Sequence, residues 1–221
     1  MYYDAALTKF LSPYRGKYYS HYERGFQQRA LKRMLNPRNL TFVACEAAHP
    51  EKPIASLQFS RIGDDEGAQK QIKSRASVWL MILDWVYWAW CLILLRLTGR
   101  DKSASPEAHK QFESWVSNDN TRIWGSHGER WHVDSCIVKT KLQGKGIGKM
   151  LMKEVTRRAE DEGVVIGLEA SPHGEWLYKS VGFKLLARFE QVTGSEAVNH
   201  GNLGGFMMWT PQVMKGEKKT L

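Results

Sequence analysis

The residues best suited to chemistry form a glycine-rich segment, Gln143-Gly144-Lys145-Gly146-Ile147-Gly148, between a predicted strand and a predicted helix. Glycine lets the backbone adopt positive φ and approach a ligand closely, because it has no Cβ. A helix that begins at such a loop presents free N–H groups and a partial positive charge at its N-terminus. The segment therefore predicts a cradle for a diphosphate group.

The spacing of these glycines excludes two common nucleotide-binding loops. A P-loop has four residues between its first Gly and the Gly-Lys pair, followed by Ser or Thr. Here three residues separate Gly144 from Gly148-Lys149, and Met150 follows, so the hydroxyl that binds Mg²⁺ is missing. The dinucleotide fingerprint G-x-G-x-x-G also fails, because Gly148 comes one residue too early.

The remaining pattern, Q-x-x-G-x-G, resembles the acetyl-CoA-binding motif of GNAT acyltransferases. Further along, the segment 171–178 ends in Tyr178 and is followed by Gly182-Phe183. This is similar to the end of the GNAT core, where a Tyr commonly stands four residues before a Gly-Phe pair. The resemblance covers about residues 131–190; it is weak over 40–62 and absent over 64–125.

The resemblance implies direct transfer of an acetyl group from acetyl-CoA to a primary amine. The acceptor could be a small molecule, a peptide terminus or a Lys side chain. Backbone amides of 143–149 would hold the diphosphate, and the backbone of Ile137 and Val138 would pair with the pantetheine arm as an added strand. No metal is expected. The expected cofactor-binding residues are Ile137, Val138, Gln143, Gly144, Lys145, Gly146, Ile147, Gly148, Lys149, Ser171 and Tyr178.

The catalytic candidates are Tyr178, His132 and Asp134. Acyl transfer from a thioester to an amine needs a neutral amine, a stabilised oxyanion and a proton for the departing thiolate. The resemblance gives Tyr178 the role of acid, and packing in the core is its alternative. His132 suits a general base because imidazole titrates near neutral pH. It could instead be a hydrogen-bonded strand residue, with water carrying the proton.

Two neighbours of His132 on the same predicted strand bear on its role. Strand alternation puts Asp134 on the same face, where it could orient His132 or contact the acceptor. Cys136 could act as a nucleophile in a two-step reaction. However, a strand Cys is more often inert packing, and the resemblance implies direct transfer.

The pattern of the whole chain predicts an α/β (α+β) fold with a mixed, mostly antiparallel sheet flanked by helices. We expect a single domain over 1–221 with a helical insertion at about 64–125, between strands. Residues Met150, Leu151, Val155 and Ala159 lie on one face of a predicted helix. The predicted helices are one or two within 5–34, then about 107–116, 149–162 and 175–181. The predicted strands are 40–46, 54–61 (joined to it by a turn at 49–53), 131–138, 164–170, 183–192 and 206–210.

The insertion contains an apolar segment, 78–97, interrupted only by Asp84 and Arg96. Its length is within the range of a membrane span. A single crossing would, however, separate two strands of one sheet, so we expect a helix that is buried or covered by a partner and that could roof the acceptor pocket. The alternatives are an interfacial helix on a membrane surface, anchored by its tryptophans, and a surface for self-association as a homodimer.

Composition sets the remaining expectations. The chain has 221 residues, 43% hydrophobic and 25% charged, as in an ordinary soluble protein. The net charge of +9 could favour anionic partners, but no Lys/Arg run is dense enough for a nucleic-acid arm, so no nucleic acid is expected. The three cysteines form no CxxC pair, and the start does not read as a secretory signal, so a cytoplasmic location is expected.

Two alternative functions stay open: a CoA-binding module without turnover, and a membrane-surface protein using the apolar helix.

Overall fold

The computed structural model describes residues 6–188 and 204–212. The helices are α1 (Ala6–Leu11), α2 (Tyr19–Leu35), α3 (Glu66–Arg75), α4 (Val78–Thr98), α5 (Pro106–Trp124), α6 (Ile147–Glu162) and α7 (Glu175–Val181). The strands are β1 (Asn39–Glu46), β2 (His49–Ile62), β3 (Arg130–Val138), β4 (Val165–Ala170), β5 (Lys184–Arg188) and β6 (Gly205–Trp209). The outer parts of two predictions, the strand end at 189–192 and the tail from 215, lie outside the described residues.

These strands form one six-stranded sheet in the order β1-β2-β3-β4-β6-β5. Only β3 and β4 are parallel, and they are joined by a crossover through α6; the other neighbours are antiparallel. The predicted fold class, a mixed and mostly antiparallel sheet flanked by helices, is confirmed.

The core lies between one face of the sheet and α6. Alternation along β2 turns Leu57 and Phe59 inward, where both are fully buried. Phe59 contacts Trp131 of β3 edge to face, with ring centroids 5.2 Å apart. On α6, Met152 is fully buried, whereas Met150, predicted to lie on the core face, is exposed. A rotation of 100° per residue explains the error, because Met150 lies too far around the helix from Val155 and Ala159.

The hairpin of β1 and β2 is confirmed, but its turn is not at 49–53. The chain reverses at Ala47 and Ala48, and Glu46 pairs with His49 directly. Pro53 lies in the strand, opposite Cys45, where the register with β1 shifts. Proline is tolerated at such an irregularity because the regular ladder hydrogen bond is interrupted there. Its presence therefore did not mark the turn.

Helices α3, α4 and α5 lie between β2 and β3, which confirms the helical insertion. Asp65 accepts a hydrogen bond from the Ala68 N–H at the start of α3, and Ser77 accepts one from the Leu80 N–H at the start of α4. The last helix, α5, continues to Trp124, eight residues beyond the predicted end at 116. Trp124 is buried against the sheet face opposite the core.

A buried arginine fixes the base of the insertion. The Arg61 side chain is 1% exposed and forms ion pairs with Asp65 at 2.5 Å, Glu129 at 3.1 Å and Glu162 at 2.8 Å. Glu162 also accepts a hydrogen bond from the Trp131 indole. A buried charge is tolerated only when paired, and these carboxylates come from both ends of the insertion and from α6. The cluster therefore joins the insertion to the sheet.

The expectation that the apolar helix is buried is wrong for this chain on its own. Helix α4 is long and apolar enough to span a bilayer, yet none of its apolar window is buried. It packs along α2, where the Tyr87 hydroxyl donates a hydrogen bond to the Gln28 carbonyl at 2.7 Å. The apolar composition indicated that the surface of the helix contacts something other than water, but it could not indicate what that is.

Candidate active site

The glycine-rich loop presents bare backbone at the start of α6. Gly144 and Gly146 have φ of 76° and 80°, in the left-handed region that favours glycine. A Cβ added at either position would meet no atom within 4 Å, so their α-carbons face open space. Gly146 is also the N-cap of α6 and offers no side chain to the first-turn N–H groups. The loop therefore suits a ligand that accepts hydrogen bonds from backbone amides.

Gly148 has a different local role from the other two glycines. A Cβ there would lie 3.0 Å from Leu177 Cδ2 and 3.7 Å from Val138 Cγ2. The small residue thus lets the first turn of α6 pack against α7 and β3. Because Leu177 precedes Tyr178, this contact also fixes where Tyr178 stands relative to the loop.

The second feature is a divergence of the two parallel strands. β3 pairs with β4 only from Arg130 to Val133, although β3 continues to Val138. β4 instead pairs with β6 as far as Ala170. The β2 register shifts opposite Asp134, which adds a bulge to β3 at the point of divergence.

The gap that opens between β3 and β4 beyond Val133, here called the wedge, leads to the glycine loop. Gln143 donates a hydrogen bond through Nε2 to the Val138 carbonyl at 3.1 Å, which ties the loop to the end of β3. Within residues 6–188 and 204–212, Ile137 and Val138 pair with a strand on one side only, which is β2. The structure thus brings together the residues expected to hold diphosphate and those expected to pair with pantetheine. Lys145 and Lys149 are exposed beside them.

His132 lies on the sheet face opposite the core and is paired with Glu169 of β4. The distance from His132 Nε2 to Glu169 Oε2 is 2.9 Å. The Trp124 indole donates to the other carboxylate oxygen at 3.4 Å, and its ring stands perpendicular to the imidazole at 6.0 Å. His132 Nδ1 is buried, and within residues 6–188 and 204–212 it has no hydrogen-bond partner. One ring nitrogen thus forms a hydrogen bond with a carboxylate, while the other forms none within the described residues.

Electrostatics support a charged Glu169. Burial desolvates this carboxyl group, which opposes its ionisation, but the charge of His132 and the hydrogen bonds from His132 and Trp124 outweigh that effect. The pKa of Glu169 is consequently below its usual value. Its side chain is 38% exposed against 14% for His132, so Glu169 is the member of the pair that a ligand meets first.

Asp134 does not bond to His132. Its carboxylate accepts hydrogen bonds from Ser60 and, at 3.4 Å, from Asn39 Nδ2. Desolvation raises the pKa of Asp134, although the charges of His132 and Arg33 oppose the rise. The role of orienting His132 therefore falls to Glu169, and contact of Asp134 with an acceptor stays a prediction. A basic surface concavity, lined by Arg29, Lys32, Arg33, Asn36 and Asn39, adjoins this carboxylate.

The other predicted residues have distinct surroundings. Tyr178 is buried in the core cluster, with its ring 5.8 Å from that of Phe183. Ser171 is exposed and accepts a hydrogen bond from the Gly174 N–H at 3.2 Å, just before α7. Burial raises the pKa of the Cys136 thiol to about 11, so the thiol is protonated at neutral pH. That protonation argues against Cys136 as a nucleophile.

Comparison with known proteins identifies the family. Residues 100–200 match the family model of the acetyltransferase (GNAT) domain. This part of the chain is a GNAT-type domain. No curated protein sequence matches it at a significant level. The GNAT match includes α5, so Trp124 and Glu169, which sequence reasoning missed, both lie within the matched range.

Solved structures of acetyltransferases share this fold. Arylalkylamine N-acetyltransferase 2 from Aedes aegypti aligns at 12% identity with a TM-score of 0.50, over 84% of this chain and 78% of that one. Polyamine N-acetyltransferase from Drosophila melanogaster aligns at 16% identity and a TM-score of 0.43, over 77% and 74%. A GNAT acetyltransferase from Staphylococcus aureus aligns at 10% identity and 0.39, over 80% and 70%. At these identities the similarity is one of fold.

Proposed function

We propose that this protein transfers an acetyl group from acetyl-CoA to a primary amine by direct attack of the amine on the thioester. The observation that carries the proposal is the bare backbone of Gly144 and Gly146 at the start of α6, adjoining the wedge between β3 and β4. This arrangement suits a ligand with a diphosphate followed by an extended amide chain. Coenzyme A has that chemistry, and when bound as its acetyl thioester it supplies the activated acyl group.

The donor would be held mainly by the backbone. Amides of 143–149 would donate to the diphosphate, and the free edge of Ile137 and Val138 would pair with the pantetheine arm as an added strand. Lys145 and Lys149 would add positive charge beside the phosphates. Such contacts require glycine and open edges more than particular side chains, which agrees with the composition of the loop.

The acceptor proton would pass to the pair formed by Glu169 and His132. Glu169, the more exposed and negatively charged member, suits contact with the acceptor ammonium. In its neutral form, His132 behind it would take up the proton on the ring nitrogen that does not donate to Glu169, and Glu169 with Trp124 would keep the imidazole oriented. The Tyr178 hydroxyl is our candidate for the proton donor to the departing sulfur. These roles leave Asp134 to contact the far side of the acceptor, beside the basic concavity.

The burial of Tyr178 in the core favours one alternative function, a CoA-binding module without turnover. The two functions predict different results in the same assay. Purified chain, acetyl-CoA and a panel of amines would be mixed, and free CoA would be detected with a thiol reagent. The panel should include arylalkylamines, polyamines and Lys-containing peptides, because structurally similar proteins are named for the first two.

We expect saturable acetyl-CoA binding and amine-dependent CoA release for at least one member of the panel. Saturable binding without release for any amine would support the non-catalytic module instead. If acetyl-CoA does not bind in a calorimetric titration, both functions are refuted, because both depend on the same cradle.

A further inference from the structure

The surface of α4 is apolar around most of its circumference. Trp79 is 75% exposed, Trp85 66% and Trp88 57%, and most of the large aliphatic residues between them are exposed as well. A solvent-exposed helix normally keeps charged residues on its outer side. An exposed apolar surface of this extent marks a contact with something other than water.

The side of α4 that faces α2 is marked by its less exposed residues. Leu80, Tyr87, Cys91 and Leu94 are partly buried and recur at spacings of seven, four and three residues, as one stripe of a helix does. By its spacing, Asp84, the acidic residue of α4, falls on the same side of the helix, four residues after Leu80 and three before Tyr87, although its side chain is exposed. The outward side is therefore free of negative charge.

The attachment of α4 to α2 excludes an orientation across a bilayer. Near one end of α4, Arg75 donates to the Met34 carbonyl at 3.4 Å. At the other end, Arg24 donates to Thr98 at 2.6 Å. The two helices therefore lie side by side and antiparallel, and a crossing would carry the charged α2 into the hydrocarbon. It would also separate β2 from β3, which pair in one sheet.

Positive charge at both ends of α4 indicates what covers it. Exposed or half-exposed cations precede the helix, and others occupy its last turn and the residues after it; they are Lys70, Lys73, Arg75, Arg96, Arg100 and Lys102. Tryptophan prefers the depth of lipid headgroups, and flanking Lys and Arg attract anionic lipids. A protein partner covers one side of a helix, whereas a lipid interface surrounds an apolar helix up to the polar side that faces its own protein.

We propose that α4 seats this protein on an anionic membrane surface, with the helix axis in the membrane plane and α2 above it. The expected cytoplasmic location agrees with this arrangement, because the cytoplasmic leaflet carries the anionic lipids. The inference depends on α4 and its flanking cations alone, and not on the acetyltransferase function. If one of these two proposals fails, the other is unaffected.

The test is flotation of the full chain with lipid vesicles. One set contains phosphatidylcholine alone and the other about 30 mol% phosphatidylserine, so that the contribution of anionic lipid is measured separately. The wild type should float with the anionic vesicles, bind the neutral ones several-fold less, and be released by alkaline carbonate. Its tryptophan fluorescence should be quenched by vesicles containing brominated lipids, a measurement that needs no variant.

A matched pair of double variants tests the role of the outward surface. Trp85→Glu with Ile93→Glu should weaken binding to anionic vesicles by about tenfold or more, because charge enters the apolar face. Val43→Glu with Leu186→Glu places the same charges at exposed apolar positions on β1 and β5 and should bind as the wild type does. Far-ultraviolet circular dichroism and Tm should be equal in the three proteins, which shows that each is folded.

Three results would overturn the proposal. The first is a wild type that stays unbound on both vesicle sets. The second is binding that resists alkaline carbonate, which indicates a helix across the bilayer. The third is a defined dimer in sedimentation velocity without lipid, lost in the Trp85 and Ile93 variant, together with no vesicle binding. That result would mean that α4 is covered by a second copy of the chain.

Discussion

Two glycines at opposite ends of α6 offer a controlled test of the diphosphate cradle. Gly146, the N-cap, has φ of 80°, and Gly163, after the last turn, has φ of 67°. A Cβ at either position would meet no atom within 4 Å, so alanine would be strained by its backbone conformation and not by a clash. Their local environments therefore differ mainly in whether the helix end is the proposed ligand site.

The expected stability cost is similar for the two variants. A non-glycine residue in the left-handed region costs roughly 1–2 kcal/mol, and the lower entropy of the unfolded chain with alanine returns about 0.4–1 kcal/mol. The net loss is about 1 kcal/mol in each case, which lowers Tm by about 2–4 °C for a chain of this size. Differential scanning fluorimetry without ligand would measure both shifts.

Acetyl-CoA affinity should separate the two. Gly146→Ala puts a methyl group where the diphosphate would approach the amides, so Kd should rise by about tenfold or more, equivalent to at least about 1.4 kcal/mol. Gly163→Ala should leave Kd within about twofold of the wild type, since it lies at the far end of the helix. Isothermal titration calorimetry gives both values. Equal Kd values for the two variants at equal stability loss would refute the cradle at the start of α6.

Four further outcomes are expected. Arg61→Met should destabilise the fold by about 3–5 kcal/mol in urea unfolding, because the buried ion pairs lose their cation; a loss under about 1 kcal/mol would contradict this role. The carboxyl group of Asp65 is desolvated, but hydrogen bonds from Ala68 N–H and Arg61 lower its pKa. The stability that this group contributes is therefore complete above its unfolded-state pKa, near 4, and is lost as the pH falls through its lower folded-state pKa. Unfolding curves below about pH 5 should show stability falling with pH, more steeply in the wild type than in Arg61→Met. Tyr178→Phe should lower kcat by about tenfold or more with acetyl-CoA Kd unchanged, whereas an unaltered kcat would limit Tyr178 to packing. Glu169→Gln should raise the amine KM and lower kcat by about tenfold or more, and a wild-type pH profile in this variant would exclude the carboxylate from the proton path.

Local patterns in the sequence were sufficient to predict the glycine loop and most of the elements around it. The alternation of β2 and the helical stripe of α6 are properties of short segments, so they are visible without knowledge of the fold. The placement of Met150 on the core face was an error of helix geometry, because a rotation of 100° per residue turns it away from Val155 and Ala159. Pro53 misled for a different reason, since the register shift that accommodates it depends on the partner strand.

The pairing of His132 with Glu169 could not be predicted in the same way. The two residues are 37 positions apart and are brought together by the parallel register of β3 and β4, in which His132 is opposite Gly167. That register depends on how α6 packs in the crossover between the strands. Asp134 was the nearer carboxylate in sequence and on the same predicted face, but the bulge in β3 and the hydrogen bonds from Ser60 and Asn39 give it other surroundings.

The insertion, whose last helix α5 lies within the range matched by the family model, contributes to the candidate active site. A Cβ at Gly167 would lie 2.7 Å from the Trp124 ring, so the absence of a side chain there lets the last residue of α5 pack directly against β4. In that position the indole reaches Glu169 and borders His132. The Arg61 cluster holds the start of α3 and Glu129, beyond the end of α5, on the same part of the sheet. The insertion is therefore fixed at its base and supplies one wall of the proposed acceptor site, while α4 remains available for the proposed membrane contact.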